Sequence, residues 1–307
     1  MILCFDIGGT AIKMAEASSA DQVTPKGRIN TPTDDFDAFV GVMRDQITAA
    51  STPPAAIAVS LAGVLDPDTG VGTMANIPCL TGRKLQSELA ARLGLPVVLG
   101  NDADCFALAE ATVGVGRGHD VVFGLILGTG VGGGVVVRGE LINRDGGFAG
   151  EIGHGPIAQR ILTEPSISLP AFPCGCGLSG CLDAVCSARG MERLHTHLHG
   201  VPRDSRGIVA DWMAGDKNAT RTIDIWIGLL AGPLAVMENM LGAGIIAVGG
   251  GLSNAPGLIT ALDRAVRAQC LRRFDRPLIV QAGCPVEPGL VGAAILGLQY
   301  VNSINAE

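Results

Sequence analysis

The sequence predicts an α/β protein of duplicated architecture, with mixed sheets and a cleft between two halves. Strand-length apolar runs alternate with stretches of helical period along the chain. A strand, glycine turn, strand unit opens the chain at residues 2–15, and the same unit restarts it at 121–137. A glycine- and cysteine-rich loop, 174–183, stands apart from this regular pattern.

The apolar run 2–7 ends in Gly8-Gly9-Thr10, and apolar positions resume at Ile12, Met14 and Ala15. Phe36, Phe39, Val40, Met43 and Ile47 recur at helical spacing behind Thr33-Asp34, which can cap the helix. Ile57–Leu61 reads as a buried strand leading into Ala62-Gly63, and Leu85, Leu89 and Leu93 mark a helix stopped by Gly94 and Pro96. Strand Val97–Leu99 delivers Gly100-Asn101-Asp102 to a helix beginning near Ala103. Val121–Leu127, Gly128-Thr129-Gly130 and Gly132–Val137 then repeat the opening pattern. Residues 155–175, with Pro156, Pro165, Pro170 and Pro173, read as an irregular surface excursion closed by a metal. Helical spacing over about 222–241 carries Pro233 as a candidate kink. Strand Ile245–Val248 enters Gly249-Gly250-Gly251, a helix follows from about Gly257, Leu278–Gln281 is a last strand and Gly289–Tyr300 a last helix. No low-complexity linker separates the halves, so a short hinge is expected near 112–120.

At 307 residues the chain can bury a sizeable core in two domains. It is 48% hydrophobic and 17% charged with 44 glycines, a folded, glycine-punctuated composition. A net charge of −7 argues against a nucleic-acid or anionic-membrane partner. Nine cysteines, an odd number with several inside 174–186, fit a reducing compartment. Met-Ile-Leu-Cys-Phe-Asp lacks the basic and apolar regions of a signal peptide, and the most apolar window, Val121–Val137, is broken by glycines. A soluble, cytoplasmic protein is expected.

Cys174, Cys176 and Cys181 form Cys-x-Cys-x4-Cys, and His154 lies upstream in Gly-Glu-Ile-Gly-His. Three thiolates and one imidazole make a closed tetrahedral set for structural Zn²⁺. A disulfide or scattered buried thiols are the alternatives. Glu151 and Asp183 flank the ligands, so a metal here would brace a loop carrying carboxylates beside a substrate site.

Asp6-x-Gly8-Gly9-Thr10 sets a carboxylate at a strand end beside a turn of exposed N–H groups. A nucleotide triphosphate needs both, donors for its oxygens and a carboxylate for hydrated Mg²⁺. Gly128-Thr129-Gly130 offers a second set of donors, and Gly249-Gly250-Gly251 removes side chains where an adenosine can lie. A lone glycine turn is usually only a turn; three in this order point to ATP. Gly128-x-Gly130-x-x-Gly133 also matches a dinucleotide fingerprint, but Val135-Val136-Val137 follows where a helix should open. Asp102 reads either as a helix cap or as a general base for a substrate hydroxyl with Asn101 orienting the sugar; the phosphate loops favour the base.

Asp-Ile-Gly-Gly-Thr (6–10), Asn101-Asp102, Leu-Gly-Thr-Gly-Val-Gly-Gly-Gly (127–134), Gly-Glu-Ile-Gly-His (150–154) and the Cys-Gly-Cys cluster together resemble the ROK family of sugar kinases. Ala75-Asn76-Ile77-Pro78, Asn101-Asp102-x-x-Cys105-Phe106-Ala107-Leu108, Gly124-Leu125-Ile126-Leu127 and Gly251-Leu252-Ser253-Asn254 are most similar to its bacterial N-acetylglucosamine kinases. The resemblance implies an actin-like (ribonuclease H-like) ATPase fold. It implies an N-terminal domain over 1–115, rejoined by a helix at about 288–307, and a C-terminal domain over 116–287 that carries the zinc site. It further implies Asp102 as the base; Gly63, Asn76, Asn101, Asp102, Glu151, His154 and Asp183 around the sugar; and His154 with Cys174, Cys176 and Cys181 on zinc. The nucleotide set it implies is Cys4, Phe5, Asp6, Ile7, Gly8, Gly9, Thr10 and Ala11, then Gly128, Thr129, Gly130, Val131, Gly132, Gly133, Gly134 and Val135, then Gly250 and Gly251. The implied reaction is ATP- and Mg²⁺-dependent phosphorylation of N-acetylglucosamine at its 6-hydroxyl, in a protein whose family often forms homodimers.

Three positions depart from the family pattern. Ala11 stands where many relatives have lysine, Asp104 where asparagine is usual, and Asp183 where a glutamate contacts the sugar. Glucose and N-acetylmannosamine are rival substrates. A non-catalytic sugar binder is a further rival, as is a family repressor, for which no helix-turn-helix precedes Asp6. His195-x-His197-x-His199 reads as a solvated helix end rather than a second metal site. Cys4, Cys79, Cys105, Cys270 and Cys284 read as packing residues, and Cys186 as a ligand only in a shifted register.

Overall fold

The computed structural model describes residues 1–74, 76–143, 148–155, 159–163 and 166–306; Ala75, Pro156 and Pro165, named above, lie outside them. Two compact units emerge, one of residues 1–118, 134–149 and 283–307, the other of 119–133 and 150–282.

The first unit runs β1 (Ile2–Ile7), β2 (Ala11–Ser19), β3 (Gln22–Asn30), α1 (Phe36–Ala49), β4 (Ala56–Leu61), the short β5 (Val64–Leu65) and β6 (Gly72–Thr73), α2 (Leu85–Leu93), β7 (Val97–Asn101) and α3 (Asp102–Thr112). Its sheet has the order β3-β2-β1-β4-β7, antiparallel from β3 to β1 and parallel from β1 to β7. Asp6 pairs in register with Ser60, and Leu61 with Asn101. Three parallel strands therefore bring Asp6, Ser60 and Asn101 to one sheet edge, where α/β folds place ligands. Phe5, Phe39, Met43 and Ile57 are fully buried in the core between this sheet and α1–α2. Sequence period does not reveal β3: Thr24, Pro25, Lys26, Gly27 and Arg28 are exposed, as suits an edge strand that must not pair further. The cap of α1 is Asp35, which accepts Ala38 N–H at 3.0 Å, rather than Thr33-Asp34.

The chain continues through β8 (Val121–Leu127), β9 (Val131–Val137), β10 (Glu140–Leu141), β11 (Ile161–Thr163), β12 (Ser166–Ser168), α4 (Asp183–Cys186), α5 (Ala188–His199), α6 (Ser205–Met213), α7 (Lys217–Leu241), β13 (Ile245–Gly249), α8 (Leu258–Gln269), β14 (Ile279–Gln281) and α9 (Pro288–Asn305). The second sheet has the order β10-β9-β8-β13-β14, with β8, β13 and β14 parallel. The duplication read from the glycine turns is thus a pair of five-stranded sheets, each begun by strand, turn, strand. Residues 135–137 are strand, which removes the dinucleotide fingerprint. The proline-rich excursion is not wholly irregular, since β11 and β12 form a two-stranded antiparallel ribbon.

Helix α7 begins at Lys217, capped by Asp216, runs on through Pro233 and stops at Gly242 in the left-handed conformation (φ 63°). It is long and apolar enough to cross a membrane by length and composition, but half of its apolar window is buried against the fold. Trp226 on α7 is fully buried and donates to Cys186 O at 2.9 Å, which takes Cys186 into the core and out of the metal set. His195 corrects the reading of a solvated helix end. It is only 7% exposed and meets Thr222 Oγ1 at 2.9 Å, with His199 on the same oxygen at 3.1 Å; spacing i, i+4 turns both toward α7 while His197 stays exposed.

The last helix, α9, belongs to the first unit, packing on β1, β4, β7 and α3 with Leu290, Val291, Ile295 and Leu296 buried. Of the cysteines read as packing residues, Cys4, Cys105 and Cys270 are buried, and Cys79 and Cys284 half-buried.

Candidate active site

The site residues expected from the sequence fall into two sets, one in each unit. In the first, Asn101 rather than Asp102 caps α3. Its Oδ1 accepts Ala103 N–H at 2.8 Å and Asp104 N–H at 3.3 Å, while its Nδ2 donates to Gly63 O at 2.8 Å. Capping is thereby done by the neighbour, and Asp102, the first helical residue, makes only a local contact to Ala103 N–H at 2.9 Å. Asp102 is open to solvent on one side and packed in by protein atoms on the others. Burial, aided by the nearby charge of Asp6, pushes its carboxyl up to about 6.

Asp6 accepts from Ser60 Oγ at 3.0 Å and pairs with Lys13 at 3.4 Å; Lys13 also reaches Glu287 at 2.9 Å. Burial raises the Asp6 carboxyl above its ordinary range, and Lys13 pulls the other way. The Gly8–Ala11 turn is closed by Gly8 N–H to Ala11 O at 3.0 Å and tied down by Thr31 Oγ1 to Gly8 O at 2.6 Å. Asn76 lies against Gly9 so closely that a Cβ on Gly9 would come within 2.6 Å of Asn76 Cβ. Cys4, Phe5 and Ile7 bury their side chains, and their main chain is engaged by β2 and β4. Gly134 packs on the backbone of Ala103 and Asp104 at the start of α3, and Val135 is buried beside it in sequence.

In the second unit, Gly128-Thr129-Gly130 joins β8 to β9, and Gly128 N–H donates to Gly130 O at 2.9 Å. Gly250 lies directly against it: φ is 83°, and a Cβ there would stand 2.4 Å from Leu127 O. Two of the three glycine loops are therefore neighbours. Nearby in sequence to the turn, Val131 N–H donates to Asp183 Oδ1 at 2.7 Å. His154 Nδ1 is 3.7 Å from Cys174 Sγ, and its Nε2 faces Glu151 Oε2 at 3.9 Å. Cys176 Sγ and Cys181 Sγ are 3.7 Å apart, and the four ligand atoms all lie within 4.8 Å of one another.

The model of the ROK family matches residues 2–300. The chain belongs to the ROK family. It is 35% identical over 295 residues to an N-acetylgalactosamine kinase of Shewanella, with 95% of each chain covered. It is 34% identical over 297 residues to an N-acetyl-D-glucosamine kinase of Escherichia coli, covering 96% of this chain and 98% of that one. The ROK hexokinase of Thermus thermophilus superposes with a TM-score of 0.84 at 31% identity, over 98% of this chain and 99% of the other. The fold is the actin-like ATPase fold of ROK kinases, and the protein is a sugar kinase of this family.

The Cys/His cluster passes a geometric test for zinc. Tetrahedral Zn²⁺ with bonds of about 2.3 Å to sulfur and 2.0 Å to nitrogen sets its ligand atoms roughly 3.5–3.8 Å apart. Two of the separations in this ROK kinase, each 3.7 Å, match that spacing within a set bounded at 4.8 Å, and the S–S distance is far beyond a disulfide bond. Asp6 passes a looser test for hydrated Mg²⁺: a carboxylate has about four acceptor sites, and Ser60 and Lys13 occupy only some of them.

Sequence reading missed Ser60 and Glu287. Ser60 carries a signal in retrospect, being the one hydroxyl in the apolar run Ala56–Leu61. Glu287 meets Lys13 only because α9 returns to β1, and nothing local announces that.

Proposed function

We propose that this ROK kinase transfers the γ-phosphoryl group of ATP to the 6-hydroxyl of N-acetylglucosamine. The observation that carries the mechanism is Asp102: a carboxyl at about 6, relieved of capping by Asn101, at the sheet edge shared with Asp6. A carboxylate with its affinity for protons raised toward neutrality is suited to general-base work at neutral pH. Asp102 takes the hydroxyl proton as the O6–P bond forms and the bond from γ-phosphorus to the bridging oxygen of ADP breaks; the proton then passes to solvent. Asp6 would hold hydrated Mg²⁺, which supplies charge neutralisation on the phosphates. The turns 8–11 and 128–130 offer N–H donors to the phosphate oxygens. Zinc would be held by His154, Cys174, Cys176 and Cys181 as a structural brace. An ATP-consuming reaction on a small sugar fits a cytoplasmic enzyme.

The acetamido sugar is supported by the names of two relatives, one acting on N-acetylglucosamine and one on N-acetylgalactosamine. The second relative favours N-acetylgalactosamine as the alternative acceptor, one absent from the rivals that the motifs suggest. A coupled ADP-release assay across N-acetylglucosamine, N-acetylgalactosamine, N-acetylmannosamine and glucose tests the reading. The expected result is the highest kcat/KM for N-acetylglucosamine; a higher value for another sugar overturns the substrate and keeps the kinase.

A further inference from the structure

Asp183 departs from the family glutamate, and its contacts assign it a different task. Its Oδ1 accepts Val131 N–H at 2.7 Å, directly after the Gly128-Thr129-Gly130 turn. Its Oδ2 lies 3.6 Å from Cys174 Sγ. Its own N–H donates to Gly153 O at 2.9 Å, next to His154, and Cys181 precedes it by two residues. A few residues on, Ala188 N–H donates to Gly128 O at 2.8 Å, so the turn is pinned at both ends to the segment that leaves the cysteine cluster. Ser187 Oγ, donating to Asp183 O at 2.7 Å, ties that segment to itself.

We propose that Asp183 is a positioning residue that couples the His154–cysteine cluster to the 128–130 turn, so that zinc occupancy raises affinity for nucleotide. This rests on the assignment of that turn to nucleotide, and not on which sugar is phosphorylated. When His154, Cys174 and Cys181 share one ion, Cys181 two residues before Asp183 and Gly153, which accepts the Asp183 N–H, are both held, and with them its carboxylate. A hydrogen bond from a backbone N–H to a carboxylate is roughly twice as strong as a neutral one. Fixing the first residue of β9 orients the donors of the turn before a phosphate arrives, and preoriented donors bind an anion at less cost. Without the ion, the Asp183 strut keeps its bond but loses its foundation. Coupling of two binding sites is reciprocal, so nucleotide must also hold zinc in place.

The test measures binding of Mg²⁺ and a non-hydrolysable ATP analogue by calorimetry, without sugar, to zinc-loaded and chelator-treated protein. Chelation of the wild type is expected to weaken binding about 10-fold, within the usual range for coupled sites. Asp183→Ala should match the chelated wild type and respond no further to chelation. Asp183→Asn, which keeps an oxygen for Val131 N–H, should stay within about 3-fold of wild type. In the reciprocal measurement, the analogue should slow zinc transfer from wild-type protein to a chromogenic chelator; this needs no variant, and decides the matter if Asp183→Ala holds no zinc. The proposal is overturned if zinc leaves wild-type nucleotide affinity unchanged. It is equally overturned if Asp183→Ala binds nucleotide normally and loses only sugar affinity, which would make Asp183 a sugar ligand. Normal coupling without phosphorylation of N-acetylglucosamine supports it and removes the substrate reading instead.

Discussion

Asp102 owes its chemistry to its neighbour. Because Asn101 supplies the cap, Asp102 can stand at the head of α3 without being consumed by it. Its carboxyl, raised to about 6, gives a pH dependence with a definite sign. A general base works when ionised, so at saturating nucleotide kcat/KM for sugar should fall as pH drops through about 6 and level off above it. A pH–rate profile measures this, and an acid limb near 4 would show that Asp102 is not desolvated in the working enzyme. Asp102→Asn should lower kcat by about 10²–10⁴-fold with sugar binding retained. The sequence shows this residue as a choice between cap and base. It cannot show which neighbour takes the cap, because that depends on the backbone angles of Asn101 and on a bond across to Gly63.

At the scale of elements, the strands and helices that carry the site follow from local pattern. β1, β4, β7 and the first turns after them were legible because apolar runs ending in glycine or Asn-Asp have few other solutions. β3 was not legible, its exposed polar residues leaving no period to read; of α5 only the His195–His199 end was read, and α6 was not read at all. The candidate ligands were legible as residue types, but the 3.7 Å between Cys176 Sγ and Cys181 Sγ, too far for a disulfide bond, was not. The α3 cap offers an element-scale prediction. Asn101→Ala should destabilise the fold by about 1–2 kcal/mol, read as a lower urea midpoint with an unchanged slope. A change within error would mean that Asp102 takes over the cap in the variant.

Across the whole molecule, the chain first leaves the first unit after Gly118, re-enters it over 134–149, and returns to it again at Gly283. Glu110, fully buried on α3, holds both ends of that excursion: its carboxylate accepts N–H from Val115 at 3.0 Å, Gly283 at 3.1 Å and Cys284 at 2.8 Å. No motif marks this residue, since its partners are backbone atoms and two of the three lie far along the chain at Gly283 and Cys284. Glu110→Gln would turn an amide NH₂ or a weaker acceptor toward three donors. The expected loss is about 2–3 kcal/mol, seen as a lower urea midpoint at neutral pH. Wild-type stability in Glu110→Gln would show that the three N–H groups find other partners.

The return of α9 to β1 also imposes an order on synthesis. β1 and β4 leave the ribosome well before α9, the helix that covers them. At about 5–20 residues per second, Ile2, Cys4 and Ala58 wait roughly a quarter of a minute to a minute for their covering helix. Throughout that interval the nascent first unit presents the apolar face of its sheet to the cell. A chain cut short before Pro288 would keep that face open for good, an invitation to chaperones and proteases that the enzyme withdraws only once α9 is in place.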